Sequence, residues 1–151
     1  MVKAVARKLA EIRALRRDDL QAVTEIDEII RGFSRPDYWS GRFESAESSA
    51  PWASLVAELD NRVVGFVFGW SGSWEFGVPG EIGWIDIIGV HPVYRRHGIG
   101  RALVDEFKRL AKDMRKVEKV FTLVDPEETQ TANFFAHVGF ARGKLIHMET
   151  V

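Results

Sequence analysis

The sequence predicts a single α/β (α+β) domain built on a mixed, mostly antiparallel sheet with helices on both faces. Three observations carry that prediction. Several β-rich apolar runs, Trp52–Leu59, Arg62–Trp70 and Glu81–Val90, follow one another in the middle of the chain. A long helical pattern, with Ile99, Leu103, Phe107, Leu110 and Met114 stepping by four, four, three and four, comes straight after them. The second half then alternates strand and helix, the pattern of a sheet clothed on two sides.

Glu11–Leu15 alternates as a short strand. Asp18 has the character of a helix N-cap, with Gln21 as its capping-box partner. Leu20, Val23, Ile26 and Ile30 then recur at helical spacing, and Gly32 ends that helix. Phe33–Pro51 is loop-like, with a weaker helix in part of Asp37–Glu47, and Ser71–Gly80 is the other long loop-like stretch. Asp60-Asn61 between two β-rich runs signals a hairpin. Asp105 and Arg109 are spaced to pair on the polar face of the long helix. Val117–Val124 reads as a strand, Thr129–Val138 as a helix stopped by Gly139, and Arg142–Thr150 as a closing strand.

Composition excludes several functions. The 151 residues carry 21 basic and 22 acidic side chains, a net charge of −1, whereas a dedicated nucleic-acid binder should be basic. The basic residues Lys3, Arg7, Lys8, Arg13, Arg16 and Arg17 read as solvated surface. With no cysteine, disulfides, thiolate nucleophiles and Cys-based zinc sites are out. The four histidines, His91, His97, His137 and His147, have no HxxxH or HxH spacing, so no metal is expected. No membrane span and no secretory leader are expected, and a cytoplasmic location follows as an expectation.

The segment with the most chemistry runs from Ile85 to Leu103. A buried strand ends at Val90, and Pro92 forbids its continuation because proline has no N–H and a fixed φ. Arg95-Arg96-His97-Gly98-Ile99-Gly100 then opens directly into the long helix. Glycines allow close backbone approach. The helix start presents unpaired N–H groups and a positive dipole end. Arg95, Arg96 and Arg101 add charge. Together these features describe an anion cradle suited to a pyrophosphate, although a GxG before a helix can also be only a tight turn. There is no GxxxxGK[ST], and no GxGxxG follows the first strand.

At these residues the sequence resembles the Gcn5-related N-acetyltransferase (GNAT) superfamily. Its signature, [QR]-x-x-G-x-[GA] after a strand ending in V-x-P, reads here as Val90-His91-Pro92 and then Arg95-Arg96-His97-Gly98-Ile99-Gly100. Its second hallmark, a helix ending in G-F, reads as Asn133-Phe134-Phe135-Ala136-His137-Val138-Gly139-Phe140. The resemblance implies a sheet that splays after the Glu81–Val90 strand and transfer of an acetyl group from acetyl-CoA, as co-substrate, to a primary amine of a small molecule or peptide, by direct attack in a ternary complex. It implies that backbone of Ile88, Gly89 and Val90 meets the pantetheine arm, that Arg95, Arg96, His97, Gly98, Ile99, Gly100 and Arg101 hold the pyrophosphate, and that Asn133 and Phe135 complete the cofactor site. It leaves a homodimer open. A non-catalytic acyl-CoA sensor, another phosphate-binding α/β domain and a structural partner are the alternatives.

Two positions depart from the pattern. Phe135 stands where many members have a tyrosine that protonates the leaving thiolate, and Glu128 where many have asparagine. Tyr94 and His137 are the substitutes at hand, or water serves. Asp86 lies inside an apolar strand, where some members place their general base; a carboxylate desolvated among Trp84, Ile85, Ile87 and Ile88 would be a better proton acceptor near neutral pH. It reads equally as a hydrogen-bonded structural aspartate or one facing a solvated groove. Glu81 is the second choice. The ribosomal-protein N-terminal acetyltransferases place a glutamate where this chain has Leu123. For the acceptor, Phe33, Tyr38, Trp39, Phe43, Trp70, Trp74 and Phe76 could line an aromatic pocket with Glu44, Glu47 or Glu75 as counter-charge, or serve packing.

Overall fold

The structure, a computed structural model, describes residues 8–73 and 79–151. One five-stranded sheet, ordered β1 (Glu11–Ala14), β2 (Ser54–Leu59), β3 (Arg62–Ser73), β4 (Glu81–Val90) and β5 (Lys119–Thr122), forms its centre. All neighbours are antiparallel except β4 and β5, which run parallel because a helix, α3 (Ile99–Arg115), crosses between them. Helices α1 (Leu20–Arg31) and α2 (Pro36–Ser49) cover one face; α3 and α4 (Thr129–His137) cover the other. This is the mixed architecture expected from the sequence.

Two cores hold the layers. Leu103, Val104 and Phe107 of α3 pack with Leu55, Val67 and Ile85. Across the sheet, Val23 and Ile26 of α1 and Trp39 and Phe43 of α2 pack with Val56, Phe66 and Phe68. The β2–β3 hairpin turns through Asp60 and Asn61, both at positive φ (51° and 59°), the signature of a two-residue type I′ turn.

Several sequence expectations are corrected. Asp19, not Asp18, opens the first helix: its carboxylate accepts the Arg16 N–H at 2.7 Å and both terminal nitrogens of Arg13 at 2.9 Å, while Asp18 is exposed and Gln21 donates to Glu25. Arg13 is therefore no free surface cation; it is mostly buried between Asp19 and Glu58, which hold its guanidinium firmly charged. Lys8, Arg16 and Arg17 do lie on the surface, and Lys3 and Arg7 fall outside the described residues. The weaker helix expected in part of Asp37–Glu47 is present and longer, 14 residues, started by Pro36 and pinned by Trp39 and Phe43 one turn apart, so little of the stretch is loop. Arg109 pairs with Glu106 and Asp113 instead of Asp105, and Met114 is exposed. Arg142–Thr150 forms no strand: Leu145 and Ile146 are adjacent, so they cannot share one face of a strand, and both stay exposed.

Asp27 ties α1 to α2. Buried at 2% exposure, it accepts from Arg31 (2.9 Å), Arg35 (2.7 and 3.1 Å) and Trp39 Nε1 (2.9 Å). Burial is the largest single influence on its carboxyl and pushes the pKa up, but the donated bonds from Arg35, Trp39 and Arg31 together hold it below the ordinary value.

Candidate functional site

The site begins where β4 loses a neighbour. β5 pairs with β4 only from Ile82 to Ile85, ending with the Thr122 hydroxyl donating to the Ile85 carbonyl at 2.9 Å. Beyond that point β4 keeps only β3. His91 N–H bonds the Val64 carbonyl on the β3 side. Backbone groups alternate sides along a strand, so those of Val90 and Ile88 turn to the side β5 has left. The Val90 carbonyl there accepts a bond from Arg95 Nε at 3.1 Å, so Arg95 is engaged in pinning the strand end to the following loop. Gly89 has a packing reason to be glycine: a Cβ would sit 2.6 Å from the Phe66 ring.

The loop after β4 is shaped by two left-handed residues, Arg96 (φ 64°) and Gly98 (φ 76°). The His97 ring sits against the Tyr94 and Arg95 carbonyls at 3.0 and 2.8 Å, which fixes the loop from inside. The first helical bond of α3 runs from Ala102 N–H to the Gly98 carbonyl, so the N–H groups before it have no partner in the helix. Where a Cβ would stand on Gly98 there is no atom within 4 Å. That side of the loop is open, and unpaired N–H groups at a helix start are where an anion is favoured. The exposed Arg96 side chain makes no hydrogen bond among the described residues. Ile99 is buried in the core and can offer only its backbone.

Gly100 and Arg101 do something else. A Cβ on Gly100 would lie 2.7 Å from Phe134 Cε2, so this glycine lets α4 pack against α3. Arg101 donates to the His137 carbonyl at 2.6 Å and ties the same two helices together. Asn133 is exposed on α4, whereas Phe135 is 5% exposed, with Phe134 and Phe140 as ring neighbours, which places it in the core and off the loop's open side.

Asp86 sits at a β-bulge. Phe68 pairs with Ile87 and Gly69 with Ile85, leaving Asp86 as the extra residue. The bulge turns Asp86 and Ile87 both toward the α2 face, while Ile85 and Ile88 point to the α3 face. Of the two readings of Asp86, desolvated or hydrogen-bonded and facing a groove, the structure shows the second: its side chain is 35% exposed at the wall of a cleft of about 310 Å³. Oδ2 accepts from Arg42 Nη2 at 3.1 Å and Oδ1 from Trp70 Nε1 at 3.1 Å. Each oxygen keeps one lone pair for a further proton or ligand. Glu81 is spent on Arg115, at 2.9 Å.

The aromatic set predicted for the acceptor divides. Trp39 and Phe43 are core; Phe33 and Tyr38 are exposed away from the cleft lining; Trp70 alone lines it, stacked on Trp84 at 6.0 Å. Trp74, Glu75 and Phe76 lie outside the described residues. Neither Glu44 nor Glu47 lines the cleft, and Glu47 pairs with Arg17. The remaining acid candidates are engaged elsewhere: His137 bonds the Asn133 carbonyl within its own helix, and Tyr94 packs against His91; Leu123, where another branch has its glutamate, is exposed. Sequence reasoning missed Arg42. Its signal was the spacing of Arg42, Ala46 and Ser49 along one side of a helix, adjoining the buried side that Trp39 and Phe43 define. Among the described residues no three His, Asp or Glu side chains converge as a metal site would, and no helix is long and apolar enough to cross a membrane.

Comparison with known proteins adds three findings. Residues 10–140 match the model of the acetyltransferase (GNAT) family. An acetyltransferase of Pectobacterium atrosepticum is 33% identical over 71% of this chain and 72% of its own length, and an N-alpha-acetyltransferase of Sulfurisphaera tokodaii is 26% identical over 89% and 82%. Among solved structures, the aminoglycoside N-acetyltransferase AAC(6')-Iy in complex with CoA superposes with a TM-score of 0.82, at 17% identity, over 98% of this chain and 99% of that one.

Proposed function

The chain belongs to the acetyltransferase (GNAT) family and is an N-acetyltransferase, and from that premise we propose that it moves an acetyl group from acetyl-CoA to a primary amine of a small molecule or peptide by direct attack in a ternary complex. The observation that carries the proposal is the parting of β4 from β5 after Ile85, directly beside the bulged Asp86. The similarity to a structure titled as a CoA complex supports the co-substrate, and the aminoglycosides named for several similar structures support a small-molecule amine.

In this reading Ile88 and Val90 offer backbone groups to the extended pantetheine arm as a neighbouring strand would. The N–H groups around Gly98 and the free Arg96 hold the diphosphate. Arg95 and His97 shape the loop, and Gly100 and Arg101 fix the helix behind it. Asp86 lies roughly 13 Å back along the strand from Val90, which separates the phosphate end from the reacting end. There Asp86 takes up, directly or through water, the proton the acceptor amine must lose. The amine nitrogen bonds to the thioester carbon, the carbon–sulfur bond breaks, and the thiolate leaves and gains a proton. Thiols have a pKa near 8.5, so water can supply that proton and no side chain need replace the tyrosine missing at Phe135.

Calorimetric titration with acetyl-CoA, ATP and NAD, followed by an amine panel scored by CoA release, tests this. Acetyl-CoA alone should bind, and Gly98→Val should abolish binding. Asp86→Asn should cut amine-dependent CoA release by roughly 100-fold at unchanged acetyl-CoA affinity. Loss of affinity in Asp86→Asn, or binding without release for every amine, as a sensor would give, overturns the proposal.

A further inference from the structure

The cleft beside Asp86 holds a second charged group. Arg42 and Asp86 are its two charged lining residues among those described, of opposite sign and 3.1 Å apart. Polar lining comes otherwise from Ser45, Ser49, Ser54 and Ser71.

Arg42 is bonded less fully than Arg35 and Arg13, and to the same extent as Arg31, Arg95 and Arg101, which also make one hydrogen bond each. Arg35 gives two bonds to Asp27, and Arg13 spreads four over Asp19, Glu58 and a carbonyl. Arg42 makes one hydrogen bond, to Asp86, and its Nε is buried with no partner among the described residues. A guanidinium has five N–H donors. With one spent and Nε shielded, the Nη groups keep donors to spare, and the guanidinium carbon lies 5.6 Å from the centre of the Phe68 ring. A planar fork with unspent donors matches a carboxylate.

We infer that Arg42 selects acceptors carrying a carboxylate close to the amine, so that the substrate class is amino acids and related small amino-carboxylates. This rests on the acetyl-transfer reading. The amine sits at Asp86 and the carboxylate at Arg42, each charge of the zwitterion meeting its opposite in a cleft of about 310 Å³, a size for a small molecule. A polycationic acceptor would have to bring several positive charges against Arg42, which a single aspartate does not offset.

The test compares several L-amino acids with their C-terminal amides, by calorimetry on the CoA-saturated protein and by CoA release from acetyl-CoA. The free acids should bind about tenfold tighter than the amides, the contribution of one charge-assisted contact, and Arg42→Gln should bring that ratio close to one. Arg42→Lys, which keeps the charge without the fork, should fall between. Amides binding as well as acids, or Arg42→Gln weakening both equally so that the ratio stands, would assign Arg42 to holding Asp86 and overturn the inference. Binding of neither acids nor amides, with other amines turned over, overturns the inference and leaves acetyl transfer intact. Selective binding of acids without any CoA release keeps the recognition and removes the transfer.

Discussion

Gly100→Ala separates two reasons for a glycine in a ligand-binding turn. The ideal Cβ at Gly100 falls 2.7 Å from Phe134 Cε2 and 3.0 Å from Cζ, against about 3.5–4.0 Å for relaxed carbon contacts. Either the ring or all of α4 must give way, and overpacking of that kind costs about 1–3 kcal/mol. Alanine in a helix recovers up to ~1 kcal/mol over glycine, less in the first turn. The net expectation is a loss of about 1–2 kcal/mol, read as a lower urea midpoint at unchanged m. Phe134→Leu removes the ring atoms in question, so in the double variant the loss from Gly100→Ala should largely vanish, giving a coupling of about 1–2 kcal/mol. Gly98→Ala is the contrast: nothing lies within 4 Å of its Cβ, its penalty comes from φ 76° and is about 1 kcal/mol, and it should add to Phe134→Leu without coupling. If Gly100→Ala is neutral or stabilising, the glycine is there only for ligand approach and the packing argument fails.

Two further outcomes follow from buried groups. Asp27→Asn turns an acceptor oxygen into a donor facing guanidinium and indole N–H groups, and should cost about 3 kcal/mol in urea unfolding at pH 7. Because Asp27 binds its proton less readily folded than unfolded, its contribution is complete above the ordinary aspartate value near 3.9 and is lost as pH falls below it; Asp27→Asn should flatten that limb of the stability curve. Phe135→Tyr restores the side chain many relatives carry but places a hydroxyl in the core, so it should lower stability by about 1–3 kcal/mol with no gain in kcat; an accelerated acetyl transfer would refute the placement of Phe135.

Much of the fold was legible because it depends on periodicity and on punctuation. The α3 stripe as far as Leu110, the Asp60-Asn61 hairpin and the helix stop at Gly139 are local signals, and each stands in the structure. What escaped was decided by tertiary contact. The full extent of α2 is one case: five of its last six residues are serine or acidic, so the sequence signals only a weak helix there, and Trp39 and Phe43 dock it under the sheet. The burial of Asp27 was readable in principle, since it falls one turn after Val23 on the apolar stripe, but its three donors come from two helices and a connecting residue. The glycine-rich turn was found from residue types alone; that Gly98 faces open space while Gly89 and Gly100 face aromatic rings was not, because the rings belong to Phe66 and Phe134, far off in sequence.

The bulge at Asp86 shows why strand alternation misleads at a site. Counted back from Val90, which faces α3, strict alternation puts Asp86 in the first core beside Ile88, where an ion-paired carboxylate would be desolvated. The extra residue in β4 moves it to the other face, within reach of Arg42 and Trp70. The same irregularity lies at the end of the pairing with β5, since Ile85 is both the last residue matched to Thr122 and the residue before the bulge. One local break in the ladder therefore does two things: it coincides with the opening of the sheet edge that an extended ligand would need, and it delivers a carboxylate to the cleft on the face where an acceptor would enter. Deleting Asp86 would leave Phe68 opposite Ile87 and Gly69 opposite Ile85 in a regular ladder, with Ile85 still on the α3 face, so such a variant should keep the core and lose the carboxylate from the cleft.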